Sequence, residues 1–173
     1  MRISIEVGDV LQAAADALIS TANPWLNLSG GVNGAILLAV GLEIQEELHA
    51  HLKQLDVSTL PAGSVVRSSS GSLPFQSILH AVAIDPFYDS SVEIVRSTLA
   101  SALEMAIKLG ASSVASPALA TGYGPLSIDD FGQALAPLTI DPCFENLAVT
   151  IVVRSEEKAK RLKDALAFSQ ATE

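Results

Sequence analysis

The chain has 173 residues, 49% of them hydrophobic and 17% charged, enough apolar side chain for a sizeable core and too much for a disordered segment. Ten Lys and Arg against 19 Asp and Glu leave a formal charge of −9, which argues against direct nucleic-acid binding through phosphate neutralisation. No apolar run is long enough to span a bilayer, and one cysteine, Cys143, permits no internal disulfide and fits a reducing, cytoplasmic setting.

The first residues alternate faces like a strand, predicted over Arg2–Val7, and lack the apolar core of a signal peptide. A second strand is predicted over Ala17–Ser20, followed by a polar, glycine-bearing loop and a helix over Asn33–His49. Strands follow over Ser64–Ser68 and Ser77–Ala83. The helix over Ser91–Leu109 is the clearest, because Val92, Val95, Leu99, Ala102, Leu103 and Ala106 form one stripe and Gly110 supplies a stop. The remaining elements are a strand over Ser113–Ser116 ended by Pro117, a helix over Ile128–Leu138, a strand over Leu147–Val153 and a helix over Glu156–Phe168. This alternation argues α/β, a three-layer α/β/α sandwich, in one domain spanning residues 1–173. His49, His51, His80 and Cys143 make no zinc spacing, so neither a metal nor a cofactor is expected. Arg154, Lys158, Lys160, Arg161 and Lys163 crowd the last helix and its approach, and read as a solvated face.

Two loops carry the chemistry. Ser20–Ile36 takes the chain from a strand through Gly30-Gly31 into a helix. Glycines let the backbone approach a ligand, and the first helical N–H groups, lacking internal partners, point at any arriving anion. Ala118–Ser127 again joins a strand to a helix and contains Thr-Gly-Tyr-Gly. Two such loops suit a ligand with two adjoining phosphates, held by backbone N–H groups in a chain short of cations. The spacing of Gly30-Gly-Val-Asn-Gly34 does not fit a dinucleotide dehydrogenase, and no Gly-x-Ser-x-Gly supports serine hydrolysis.

Five segments in order resemble the macro domain family, which binds ADP-ribose: Val7-Gly-Asp-Val10, Ala17–Asn23, Ser29-Gly-Gly-Val-Asn-Gly-Ala-Ile36, Ile78-Leu-His-Ala-Val82 and Ser116–Gly124. The resemblance runs nearly end to end. It implies a mixed central sheet between helical layers, and ADP-ribose or a derivative as ligand, with ADP-ribosylated protein as a further partner. Asp9, with Val10 beside it, would accept from the adenine amino group. The alternative is that Asp9 merely caps a turn. Asn23 would clamp the distal ribose, or else build an Asx-turn. Gly30, Gly31 and Val32 would line one side of the diphosphate, with Ala120, Thr121, Gly122, Tyr123 and Gly124 on the other. Gly122 and Gly124 also suit a plain turn needing positive φ. Tyr123 would cover the distal ribose or fill core space, and its loop is one residue shorter than the usual family pattern. His80 reads as a structural histidine or a minor catalytic candidate. Trp25 and Phe87 are candidate pocket walls, and Arg154 could stack on adenine.

Asn33 stands where hydrolytic members commonly carry Asp. An amide preserves the helix N-cap but cannot take a proton from water. The expected function is therefore binding with weak or no hydrolysis. The alternative is a hydrolase acting on mono-ADP-ribosyl-protein, O-acetyl-ADP-ribose or ADP-ribose 1″-phosphate, using Asn23, Asn33 and His80. Asn33-Gly34 is also a deamidation-prone pair, whose conversion would create Asp at this position.

Overall fold

The computed structural model describes residues 1–170. The strands are β1 (Arg2–Val7), β2 (Ala17–Ala22), β3 (Val65–Ser68), β4 (Ser77–Val82), β5 (Ser113–Pro117) and β6 (Ala148–Val153). The helices are α1 (Gly31–Val40), α2 (Glu43–Gln54), α3 (Val92–Lys108), α4 (Ile128–Ile140) and α5 (Glu156–Gln170). One sheet has the order β1-β6-β5-β2-β4-β3, with β3 antiparallel to β4 and the other pairs parallel. The sheet is thus mixed, as expected.

Both sheet faces are covered. Ile36 of α1 and Ile44, Leu48 and Leu52 of α2 pack on one face with Leu18, Ile78 and Val82. Helices α3, α4 and α5 cover the other through Leu99, Leu103, Phe131, Leu135 and Leu162. This double cover explains why β4 is buried at every position, with no solvent-facing polar alternation.

Strand β2 is followed by α1 on one face, whereas β5, its neighbour, is followed by α4 on the opposite face. A crevice must open where adjacent strands send their chains to opposite sides. The register widens it: β2 and β5 pair only at Ala17↔Val114 and Leu18↔Ala115. Asp16 pins the amino ends together, its Oδ2 accepting from the Ser112 N–H (2.8 Å), the Ser112 hydroxyl (2.8 Å) and the Ser113 N–H (2.9 Å). These donors hold its carboxyl below the usual carboxylate range.

Three expectations need correction. The helix expected over Asn33–His49 is two helices, broken where Gly41 takes φ 75°. Its start also lies earlier: Gly30 is the N-cap and Asn33 the third helical residue, so Asn33 does not cap α1. Helix α4 continues through Pro137 to Ile140 instead of ending at Leu138. Proline cannot donate to the carbonyl four residues back, and Arg96 Nη2 donates to that Gln133 oxygen instead (3.5 Å). The second of the two helices, α2, also runs on to Gln54 instead of ending at His49, and the remaining differences move element ends by one or two residues, with β2 reaching Ala22 and Pro117 closing β5 rather than following it.

Candidate functional site

A cavity of about 460 Å³ lies at the carboxyl ends of β2, β4, β5 and β6, a volume within the range of small-molecule sites. Its floor is apolar, with Ala22, Ala81, Ile84 and Val152 among its residues.

On one side stands the open end of α1. Gly30 and Gly31 have φ of 64° and 52°, a left-handed backbone that suits glycine. The Gly34 N–H donates to the Gly30 carbonyl (2.8 Å) and closes the first helical turn. The N–H groups of Gly31, Val32 and Asn33 precede it and have no acceptor within the helix. No side chain caps this end, and no acid stands in the first turn. The helix dipole and three adjacent donors therefore face the cavity wall unneutralised.

The second loop differs. Helix α4 is closed by a capping box: the Asp130 N–H donates to Ser127 Oγ (3.2 Å) and the Ser127 N–H to Asp130 Oδ2 (2.8 Å). That helix end, with two acids in its first turn, offers nothing to an anion. What faces the cavity is the loop itself, Ala118 and Ala120 to Gly124, while Leu119 turns into the core. Its positive φ belongs to Ala120 (59°), not to Gly122 or Gly124. Gly124 is required by contact instead, since a Cβ there would overlap the Ala120 carbonyl. Tyr123 is 74% exposed, so it does not fill core space. Its ring crosses to the first loop, where a Cβ on Gly30 would lie 2.6 Å from its hydroxyl.

Asn33 is buried against the cavity, and the Ser20 hydroxyl donates to its Oδ1 (2.6 Å). Its Nδ2 has no hydrogen bond among the described residues. Asn23 also lines the cavity, but its Oδ1 accepts from the Trp25 N–H (3.1 Å) and Asn27 N–H (3.1 Å), and its Nδ2 donates to the Asn27 carbonyl (2.8 Å). The Asx-turn is therefore what the fold builds there, leaving one Nδ2 hydrogen for a ligand. Asp9 accepts from the Leu11 N–H (3.1 Å), the turn cap that was the alternative for it, and stands 3.9 Å from Arg154 at the rim. Gly8, Val10 and Arg154 line the wall beside it.

His80 is away from this wall. It is fully buried on β4, with Nε2 2.8 Å from Ser68 Oγ and Nδ1 without a partner. The Ser68 hydroxyl donates to the Ser69 carbonyl (2.8 Å), so His80 Nε2–H is the donor and Nδ1 carries the lone pair. Burial pushes its pKa down to about 4. The unfolded chain takes up this proton near pH 6.5 and the folded chain only near 4. Stability from the neutral ring is therefore full above pH 6.5 and drains away as pH falls toward 4. Urea titrations across that interval should show a shallower loss in His80→Gln than in the wild type. Parallel slopes would refute the assignment.

Trp25 and Phe87 do not line the cavity. Tyr88 does, and nothing in the sequence pointed to it. It takes φ 64° in a loop where Asp85 Oδ1 accepts from the N–H groups of Phe87 (2.8 Å) and Asp89 (2.9 Å). Lys158, one of the five cations read as a solvated face, also lines the wall. No group of His, Cys, Asp and Glu suited to a metal occurs among the described residues.

The Asn33-Gly34 pair is protected. Deamidation needs the Gly34 nitrogen to attack the Asn33 side-chain carbonyl, yet that nitrogen is bonded to Gly30 and that oxygen to Ser20. Peptide mass spectrometry after prolonged incubation should find Asn33 intact in folded protein and converted in denatured protein. Equal conversion in both would contradict this geometry.

Residues 19–135 match the family described as Macro domain. The chain is 33% identical over 128 residues to an O-acetyl-ADP-ribose deacetylase of Citrobacter rodentium, covering 71% of this chain and 70% of that one. A solved Oceanobacillus iheyensis macrodomain mutant with ADPR superposes with a TM-score of 0.87 at 26% identity, covering 98% of this chain and 94% of that one. The same organism's macrodomain with ADP gives 0.87 at 25% identity, covering 99% and 93%.

Proposed function

This chain belongs to the macro domain family, and from that premise we propose that its cleft binds ADP-ribose or a derivative and hydrolyses it weakly or not at all. The observation that carries the reading is the composition of the cavity wall. Bare helical N–H groups line it, and among the described residues no Asp, Glu, His or Cys does. Donors suit a diphosphate, whereas hydrolysis needs a group that can take a proton from water. The Asn33 amide cannot, and His80 stands off the wall.

In this reading the diphosphate spans the start of α1 and the backbone of Thr121–Gly124. The adenosine half extends over β6 toward Asp9 and Arg154. The distal ribose meets the free Nδ2 hydrogens of Asn23 and Asn33, under Tyr123. The solved relatives with ADPR and ADP support the ligand class. The relative named as a deacetylase supports hydrolysis of O-acetyl-ADP-ribose as the second reading. ADP-ribosylated protein as the carrier of the ligand, and a cytoplasmic site of action, belong to the same proposal; no helix among the described residues is long and apolar enough to cross a membrane.

Titration calorimetry with ADP-ribose, with AMP as comparison, is the test. Saturable micromolar binding of ADP-ribose, clearly tighter than AMP, is expected, together with no release of acetate from O-acetyl-ADP-ribose. Equal affinity for the two nucleotides would refute the use of both halves of the cleft. Rapid acetate release would favour the hydrolase.

A further inference from the structure

We propose, resting on the ADP-ribose reading, that the β6 end of the cleft recognises a third anionic group: a phosphomonoester on the ribose of the adenosine half. The preferred ligand class is then ADP-ribose phosphorylated at that ribose rather than ADP-ribose itself.

The argument starts from charge. The protein carries −9 overall, yet the cavity wall holds two cations, Arg154 and Lys158, and no carboxylate among the described residues. Both lie at one end. Arg154 directly follows β6, and Lys158 stands in the first turn of α5. Strand β6 is two places from β2 in the sheet, so about 10 Å separates those two strands, and the cations stand on the β6 side of the cleft.

The open helix end, by contrast, follows β2 and lies on the far side of β5 from the cations. The backbone donors of α1 already serve the diphosphate and need no side-chain charge. The two cations are also poorly satisfied by the protein. Lys158 is exposed and has no ion-pair partner among the described residues. Arg154 has only the 3.9 Å approach to Asp9, whose Oδ1 is already taken by the Leu11 N–H. Such an exposed, long pair contributes little. Arg161 shows the contrast: further along the same helix, it is paired directly with Asp129.

One cation beside adenine is explained by stacking, since a guanidinium is planar. An ammonium is a point charge and does not stack, so Lys158 calls for a different partner. A phosphomonoester carries nearly two negative charges at neutral pH and accepts from several donors at once. The flexible lysine stem can follow a group that projects from the ribose toward solvent.

The test is calorimetry of the full chain with ADP-ribose and with ADP-ribose 2′-phosphate, at low and at physiological salt. The 2′-phosphate is expected to bind about fivefold tighter at low salt, with the advantage shrinking as salt screens it. In Lys158→Gln the ratio of the two affinities should fall close to one, with Arg154→Gln lowering it in the same direction. The proposal is overturned if the wild type binds the 2′-phosphate no more tightly than ADP-ribose, or if the ratio survives both substitutions. These results are separable from failure of the parent reading. ADP-ribose that binds with no gain from the phosphate sinks only this inference, whereas neither nucleotide binding sinks both.

Discussion

Replacing Gly31 by Glu should abolish ADP-ribose binding, lowering affinity at least about 100-fold, while leaving the protein folded. Gly31 is the first residue of α1, where the helix presents free N–H donors to the cavity. A glutamate here supplies its own carboxylate to those donors, and its charge opposes any phosphate that follows. The backbone cost is modest. A non-glycine residue in this left-handed region is disfavoured by about 1–2 kcal/mol, and an acid at a helix N-terminus returns part of that. The nearest obstacle to a Cβ is the Tyr123 ring at 3.7 Å, an ordinary contact. Gly31→Ala separates the two effects, because it carries the same backbone cost without the charge. Calorimetry should show near-normal binding for Gly31→Ala and none for Gly31→Glu, with matching circular dichroism. Unchanged affinity in Gly31→Glu would remove this loop from the ligand site. Equal loss in both variants would assign the effect to backbone strain instead.

This loop could be found in the sequence because its chemistry is local. A Gly-Gly pair between an apolar strand and a helical pattern constrains φ and exposes N–H groups wherever it folds. The element order was legible for a similar reason, since α3 writes its buried stripe into consecutive turns. What escaped depends on distance in space. The parity between the two loops failed because Ser127 and Asp130 close α4, whereas nothing closes α1. A capping box is visible in sequence, but its consequence for a neighbouring anion site needs the helix axis. Tyr88 and Lys158 were hidden because each reaches the wall from an element that carries no ligand signature. The break at Gly41 was masked by the apolar pattern on both sides, where Ile36, Ile44 and Leu48 share one core.

Asn33→Asp should gain hydrolysis. Asn33 lines the wall beside the proposed distal ribose, and its side chain is already fixed by the Ser20 hydroxyl at 2.6 Å. An aspartate of the same shape would keep that hydrogen bond and add a carboxylate oxygen where Nδ2 now stands. Its charge is compatible with the position, because the third residue of α1 lies within the field of the helix N-terminus. The new group would be the only carboxylate in a cavity wall that has none among the described residues. A positioned base is worth about 10²–10⁴-fold in rate. Release of acetate from O-acetyl-ADP-ribose and of ADP-ribose from a modified acidic side chain should both be assayed. At least a tenfold increase in one of them is expected, accompanied by weaker binding, since a carboxylate near the diphosphate repels it. Ser20→Ala in the Asn33→Asp background should lower the gained rate by freeing the carboxylate. A variant that still binds ADP-ribose but turns over no faster than wild type would show that the missing carboxylate is not what limits hydrolysis. Catalysis would then have to be sought in the ligand's own phosphate.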